Sequence, residues 1–207
     1  MHTDGNAPFV CILNRQASMK FDNYANDYDI GWRGTKSARF YDDLIKTLEV
    51  KQGDSILDIG CGTGTVLKFI SDRTNIKGFG IDISPQMLEV AKEKNPFFDF
   101  TEGDCTNLPY ENNSMDVVMT CMAYHHFADQ RKFREEVYRV LKPDGMLYVC
   151  DPRFPWIVRA IFNATFKEAG FHSIKRNSMD FENSGFQVEN IVKDLYVQVL
   201  TLKKITK

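Results

Sequence analysis

The sequence predicts an α/β fold: a mostly parallel sheet of seven strands with helices on both faces and an antiparallel hairpin at the C-terminal edge. Three observations lead there. Short apolar runs alternate with stretches of helical periodicity from residue 37 onward. Those runs are apolar on both faces, as strands covered from both sides must be. The last two β-rich runs are separated by a few residues only, too few for a crossover and enough for a turn.

Each element follows from its own pattern. Ser37 to Leu48 places Phe40, Tyr41, Leu44, Ile45 and Leu48 on one helical stripe, closed by Lys51-Gln52-Gly53-Asp54. Ser55 to Ile59 is a buried strand, and Thr63 to Ser71 a helix carrying Val66, Leu67, Phe69 and Ile70. Gly78 to Asp82 is a second strand. Ser84-Pro85 opens the next helix, serine as cap and proline at the first helical position. Phe98 to Thr101 is the third strand and Met115 to Cys121 the fourth. Phe133, Val137, Val140 and Leu141 mark a helix stopped by Lys142-Pro143-Asp144-Gly145, and Met146 to Cys150 is the fifth strand. Ile157 to Ala169 reads as a helix. After Gly170 come two extended segments, Gln187 to Val192 and Tyr196 to Lys203, joined by a turn at Lys193-Asp194. Residues 1–18 lack periodicity and are expected to be a loosely ordered extension. The patterned sequence begins at Met19, so residues 19–207 are read as a single domain.

Composition narrows the function classes. The chain has 207 residues, 43% hydrophobic and 26% charged, ordinary values for a globular protein and foreign to collagen-like, disordered or coiled-coil chains. Twenty-six basic residues against 28 acidic give a net charge of -2. Neither sign dominates, so no general electrostatic grip on nucleic acid or on an anionic membrane is expected. No apolar run approaches the roughly 18 residues of a membrane span. Met1-His2-Thr3-Asp4 lacks the positive charge that starts a secretory signal. Cys11, Cys61, Cys105, Cys121 and Cys150 are an odd count at wide spacing without a CxxC. A reduced, cytoplasmic protein with neither disulfide framework nor metal site is expected.

The most informative segment is Ile56-Leu57-Asp58-Ile59-Gly60-Cys61-Gly62-Thr63-Gly64. A buried strand enters a turn with glycine at every second position and leaves as a helix. Such a turn lets a ligand approach the backbone at the strand tips of an open α/β sheet. The spacing is G-x-G-x-G, whereas pyrophosphate-binding loops use G-x-G-x-x-G. Asp58, two residues before the first glycine, suits an ammonium better than a pyrophosphate. Asp82 ends the next strand, where a carboxylate can take both hydroxyls of a ribose. Gly103-Asp104-Cys105 follows the third strand, with an acid positioned for an adenine amino group.

These residues resemble the class I S-adenosylmethionine-dependent methyltransferases. Within them they resemble the small-molecule branch that includes the ubiquinone/menaquinone-type C-methyltransferases. The resemblance covers roughly residues 20 to 150. It rests on Phe21-Asp22-x-x-Ala25-x-x-Tyr28-Asp29, the Asp58–Gly64 loop, Gly80-Ile81-Asp82-Ile83-Ser84, Gly103-Asp104, Pro109, Met115-Asp116-Val117-Val118, His125-His126-Phe127 and Arg139-Val140-Leu141-Lys142-Pro143-Asp144-Gly145. Asp144 departs from the glycine usual there, and the connection from Asp151 to the final strands is short, which implies a trimmed substrate cover.

The resemblance implies a Rossmann-like sheet, S-adenosyl-L-methionine as cofactor, a small-molecule methyl acceptor and a monomer or homodimer. It implies that Asp58 and the backbone of Gly60, Cys61, Gly62 and Gly64 hold the methionine part. Asp82 would bind the ribose, and Ile83 would pack on the adenine. Asp104 and the Cys105 N–H would meet the adenine edge, and Cys121 would line the methionine side. Tyr28 closes over the cofactor or packs as a plain aromatic. His125 and His126 are candidates for proton transfer, for lining the acceptor pocket, or for orienting their loop. Trp32 and Arg33 are candidate acceptor contacts or solvated surface. Phe154, Trp156, Ile157, Ile161 and Phe162 read as core, lid or acceptor wall, and Lys203-Lys204 as a solvated chain end. Two other classes stay open at this point: a nicotinamide-dependent dehydrogenase, and a cofactor-binding module without catalysis.

Overall fold

The computed structural model describes residues 19, 21–23, 25–30, 32–165 and 170–206, without the side chains of 32–36. The expected extension over residues 1–18, the side chains of Trp32 and Arg33, and the end of the helix expected to reach Ala169 lie outside the described residues.

In chain order the regular elements are α1 (Trp32–Thr47), β1 (Ser55–Ile59), α2 (Thr65–Ser71), β2 (Lys77–Asp82), α3 (Pro85–Lys94), β3 (Asp99–Glu102), β4 (Met115–Cys121), α4 (Gln130–Val140), β5 (Leu141–Pro152), α5 (Trp156–Thr165), α6 (Ile174–Glu182), β6 (Phe186–Lys193) and β7 (Val197–Lys204). The strands form one sheet in the order β3-β2-β1-β4-β5-β7-β6. β1 through β5 pair in parallel, while β7 runs antiparallel to both β5 and β6. The chain first winds outward from β1 to β3, then returns to β4 on the other side of β1. That reversal opens a crevice beyond the carboxyl ends of β1 and β4.

Alternation along the strands divides the core into two layers. Val117, Met119 and Cys121 of β4, Tyr148 and Cys150 of β5, and Val197 and Val199 of β7 face α1, α2 and α3. Leu57, Ile59, Val118, Leu147, Val149, Leu200 and Leu202 face α4 and α6, which contribute Phe133, Val137, Val140 and Phe181. Met115 breaks the odd-numbered pattern of β4 and belongs to the second layer. The cause is a register shift: Met115 pairs with Leu141 and Val117 with Met146. An irregularity of this kind interrupts the strict period-2 exposure of a strand.

Two expectations are corrected here, and one element is added. The fifth strand starts at Leu141, directly after α4, and Lys142–Gly145 is an excursion within it rather than a stop before it. Asp144, at φ 62°, occupies the left-handed region where glycine is at ease, and its carboxylate pairs with Lys203 at 2.9 Å. Residues 174–182, to which the sequence assigned no element, are helical: Ser173 caps α6 by accepting from Arg176 N at 3.2 Å. Lys204 is 5% exposed, donating to Leu141 O (2.6 Å) and Asn113 Oδ1 (2.8 Å) over the Tyr138 ring, so it is no solvated chain end.

Phe133 is fully buried beneath the crevice, between Tyr124 and Phe127. We expect Phe133→Ala to cost about 3–5 kcal/mol in urea unfolding, the usual range for an emptied aromatic site. A loss below about 1 kcal/mol would contradict this packing.

Candidate functional site

The bend after β1 is built by hydrogen bonds to β2. Gly60 N and Cys61 N both donate to Ile81 O (2.8 and 3.1 Å), Gly62 N donates to Asp82 Oδ2 (2.8 Å), and Gly64 N donates to Cys61 O (2.9 Å). Gly60 has φ 74°, and a Cβ there would lie 2.5 Å from the Ala123 Cβ in the segment after β4. Only a bare backbone allows the two tips to touch. At Gly62, φ 52°, a Cβ would meet nothing within 4 Å. Its backbone borders open space, where a ligand can lie against it. With these amides committed inside the protein, the bend is a poor phosphate cradle, which argues against the dinucleotide reading.

Asp58, Asp82 and Asp104 stand around one cleft that also receives Ile83, Cys105, Cys121 and, from the bend, Gly60, Cys61 and Gly62; Gly64, expected there, is not among the lining residues, and a Cβ on it would meet Asn95 and Phe100 at 2.9 Å. The cleft holds about 980 Å³ of empty space, part of it open to solvent. Asp58 is 2% exposed and its Oδ1 has no hydrogen-bond partner. Burial, and secondarily the Asp82 charge, push its pKa up to about 8. A buried carboxylate oxygen without a donor is the feature an ammonium would satisfy. Asp82 Oδ1 accepts from Ser84 N (2.9 Å), and its Oδ2 takes the Gly62 amide. Burial raises its pKa, opposed by the amides of Ser84, Gly62 and Ile83. Each oxygen keeps lone-pair capacity for a vicinal diol. Asp104 closes an Asx turn by accepting from Thr106 N at 2.8 Å. Burial holds the thiols of Cys61, Cys105 and Cys121 well above their usual pKa, as unreactive protonated groups.

The N-terminal segment closes the cleft from the side. Asp22 Oδ1 accepts from Ser84 Oγ (2.6 Å), the residue that caps α3. Asp29 accepts from Thr63 Oγ1 (2.9 and 3.0 Å) and Thr65 Oγ1 (3.0 Å) and pairs with Lys94. These two carboxylates bolt the segment to the amino ends of α2 and α3, and so bring Phe21 and Tyr28 to the cleft wall. The sequence carried both acids within the Phe21–Asp29 motif, but their partners lie 34 to 65 residues away.

The two histidines are separated. His126 lines the cleft, edge-on to Phe21 at 5.8 Å. His125 is not among the residues lining it. It is 4% exposed, with Nδ1 2.8 Å from Asp151 Oδ1 and its ring stacked on Phe171 at 4.4 Å. Asp151, Tyr41 and Met122 were not assigned to the site from the sequence, and Phe127 entered only through the His125-His126-Phe127 motif, with no role given. Met122, at φ 59°, is a bulky residue in the left-handed region at the cleft wall. Such an outlier can signal a functional turn, but no sequence pattern announces it.

Comparison with known proteins now decides the family. Residues 57–149 match the model of the methyltransferase domain. The chain is 32% identical over 166 residues to the demethylmenaquinone methyltransferase of Staphylococcus epidermidis, spanning 73% of this chain and 67% of that one. The chain belongs to the class I S-adenosylmethionine-dependent methyltransferases. The demethylmenaquinone methyltransferase of Chlorobaculum tepidum is 34% identical over 151 residues, 72% of this chain and 57% of the relative. The chain therefore spans a little over half the length of that relative. Among solved structures, a chain of the complex between the Haloferax volcanii Trm112 methyltransferase activator and a methyltransferase superposes with a TM-score of 0.76. It shares 22% identity and covers 90% of this chain and 98% of that one, which supports the Rossmann-like fold.

The buried acid makes a prediction for the ligand-free protein. Asp58 holds its proton up to about pH 8 when folded but releases it near 3.8 when unfolded. Stability therefore falls as pH rises through that window and stays low above it. We expect the melting temperature of the wild type to fall relative to Asp58→Asn across the window, the two converging at its acid end. Parallel curves would contradict a buried, uncompensated acid.

Proposed function

We propose that the chain transfers a methyl group from S-adenosyl-L-methionine to a small, partly apolar acceptor by direct displacement, in a single domain over residues 19–207. The observation that carries this reading is the donorless Asp58 Oδ1 beside the open backbone of Gly62, with Asp82 next to it. Asp58 takes the ammonium, and the bare backbone of Gly60 and Gly62 accommodates the methionine chain beside Cys61 and Cys121. Asp82 takes the ribose hydroxyls, Ile83 packs on the adenine, and Asp104 with the Cys105 backbone N–H meets its edge. Phe21 and Tyr28 exclude water from above.

Bound S-adenosylmethionine supplies a methyl on a leaving group already activated as a sulfonium. The protein's task is then alignment, an effect worth roughly 7–11 kcal/mol. An acceptor that loses a proton needs a base, and His126 is the titratable imidazole at the wall of the cleft. His125, held by Asp151, fixes the turn that presents it. The aromatic lining of Phe21, Tyr28, Tyr41 and Phe127 fits a flat ring, consistent with the demethylmenaquinone in the relatives' names. The cytoplasm suits a chain whose Cys61, Cys105, Cys121 and Cys150 are all free thiols. Among the described residues no helix is long and apolar enough to cross a membrane.

Two experiments test this. Asp82→Ala should weaken S-adenosylmethionine binding about 10- to 100-fold by calorimetry, the worth of a charge-assisted hydrogen bond; unchanged affinity overturns the assignment. His126→Gln should lower kcat about 100-fold or more and remove its titration from the pH profile, with S-adenosylmethionine affinity unchanged. An unaltered profile would rule His126 out as the base.

A further inference from the structure

None of the residues of α5 is buried. Its inner side is held by stacking. Phe162 lies 5.1 Å from Phe154 and 6.0 Å from Phe171, and the Asn163 side chain donates to Phe171 O (2.8 Å) and accepts from Phe171 N (3.2 Å). Its outer side is apolar and uncovered: Trp156 is 71% exposed, Ile157 53% and Ile161 59%, with Ala160 and Ala164 between them. The turn between β6 and β7 adjoins this helix. Arg153 N donates to Tyr196 O at 2.7 Å and its guanidinium to Asp194 O at 2.5 Å. Leu195 and Tyr196, 63% and 54% exposed, thereby stand beside the start of α5.

The surroundings carry a small basic excess. Between Pro152 and Glu182 the sequence has five basic residues and three acids, in a chain whose net charge is -2, and one of the five, Arg176, pairs with Asp180 at 2.8 Å. Burial holds the pKa of His172 below the usual value, opposed by Asp180, with Arg176, Arg134 and Arg159 adding to the lowering. Balanced overall charge thus conceals a local excess. A helix with tryptophan and aliphatic residues on one side and cations around it has the composition of an element that lies in the plane of a lipid interface. Self-association fits less well, because a two-fold interface through this face would set its basic rim against itself.

We propose that the outer face of α5 and the adjoining β6–β7 turn dock on an anionic lipid leaflet. Docking stands independently of the methyl-transfer reading; its use does not. On that reading, the surface lies at the same sheet edge as the cleft, since Pro152 ends β5 and Cys121 ends its neighbour β4. Rings run from the cleft wall to the inner side of α5: His126 to His125 at 4.0 Å, His125 to Phe171 at 4.4 Å, and Phe171 to Phe162. An acceptor dissolved in the leaflet would meet the cleft without crossing bulk water.

The test is flotation of the full chain with vesicles of phosphatidylcholine alone and mixed with phosphatidylglycerol. The wild type should float with the mixed vesicles, lose binding as salt is raised, and bind pure phosphatidylcholine weakly. Ile157→Asp combined with Ile161→Asp should cut partition about tenfold or more while melting like the wild type. Should that variant fail to fold, Trp156→Ser takes its place under the same criteria. Calorimetry with S-adenosylmethionine, run in parallel, reads the methyl-transfer proposal separately. Failure of the wild type to float, or equal flotation of the variant, overturns the proposal. So does a lipid-free dimer that the same substitutions dissolve, which would make the face a contact between copies of the chain.

Discussion

Asp58 Oδ1 lies under the crevice with no donor in reach, and the neighbouring acid is Asp82. Removing a carboxylate from water without a partner costs several kcal/mol, roughly, unless it stays protonated or gains a cation. The parallel sheet creates this situation. β1 is central and buried on both faces, so an acid at its penultimate position has nowhere to turn. The fold holds the acid in place with β2 on one side and β4 on the other, and leaves the electrostatic account open to a ligand.

The rest of the site is arranged around that open account. Backbone amides of the bend are spent on Ile81 O and Asp82, so no cluster of donors competes for an anion. The N-terminal segment supplies a wall rather than a charge. Its acids Asp22 and Asp29 are consumed by the hydroxyls of Ser84, Thr63 and Thr65. On the proposed reading, these local electrostatics favour a cationic group with a diol, and aromatic rings take the remaining surface.

Some of this was legible in the residues and some was not. β1 and β4 were read with their observed ends, because Val, Ile and Met runs between turns leave little ambiguity. Ser84-Pro85 opened α3 as expected, since capping is a local property. The three acids were found from their positions at or just past strand ends, and the structure brings them to one cleft. α6 was missed: only Asn177 and Phe181 of its nine residues are buried, so its apolar stripe is faint, although Ser173 was a usable cap signal. The early start of β5 was hidden by Pro143 and Gly145, which punctuate a sequence whether or not a strand passes through them. Partnerships across long separations were illegible in principle. Nothing near His125 announces Asp151, and nothing near Lys204 announces Leu141 O.

The contact between Gly60 and Ala123 has a mechanical meaning. The tip that follows β1 and the tip that follows β4 touch so closely that a single added methyl at Gly60 would lie 2.5 Å from the Ala123 Cβ. Neither tip can shift inward alone. On the proposed reading, a guest settling against the Met122–Phe127 segment would press on the very bend that cradles its co-guest, and occupancy of one half would be felt as a change of grip in the other. By thermodynamic reciprocity that change is the same whichever arrives first.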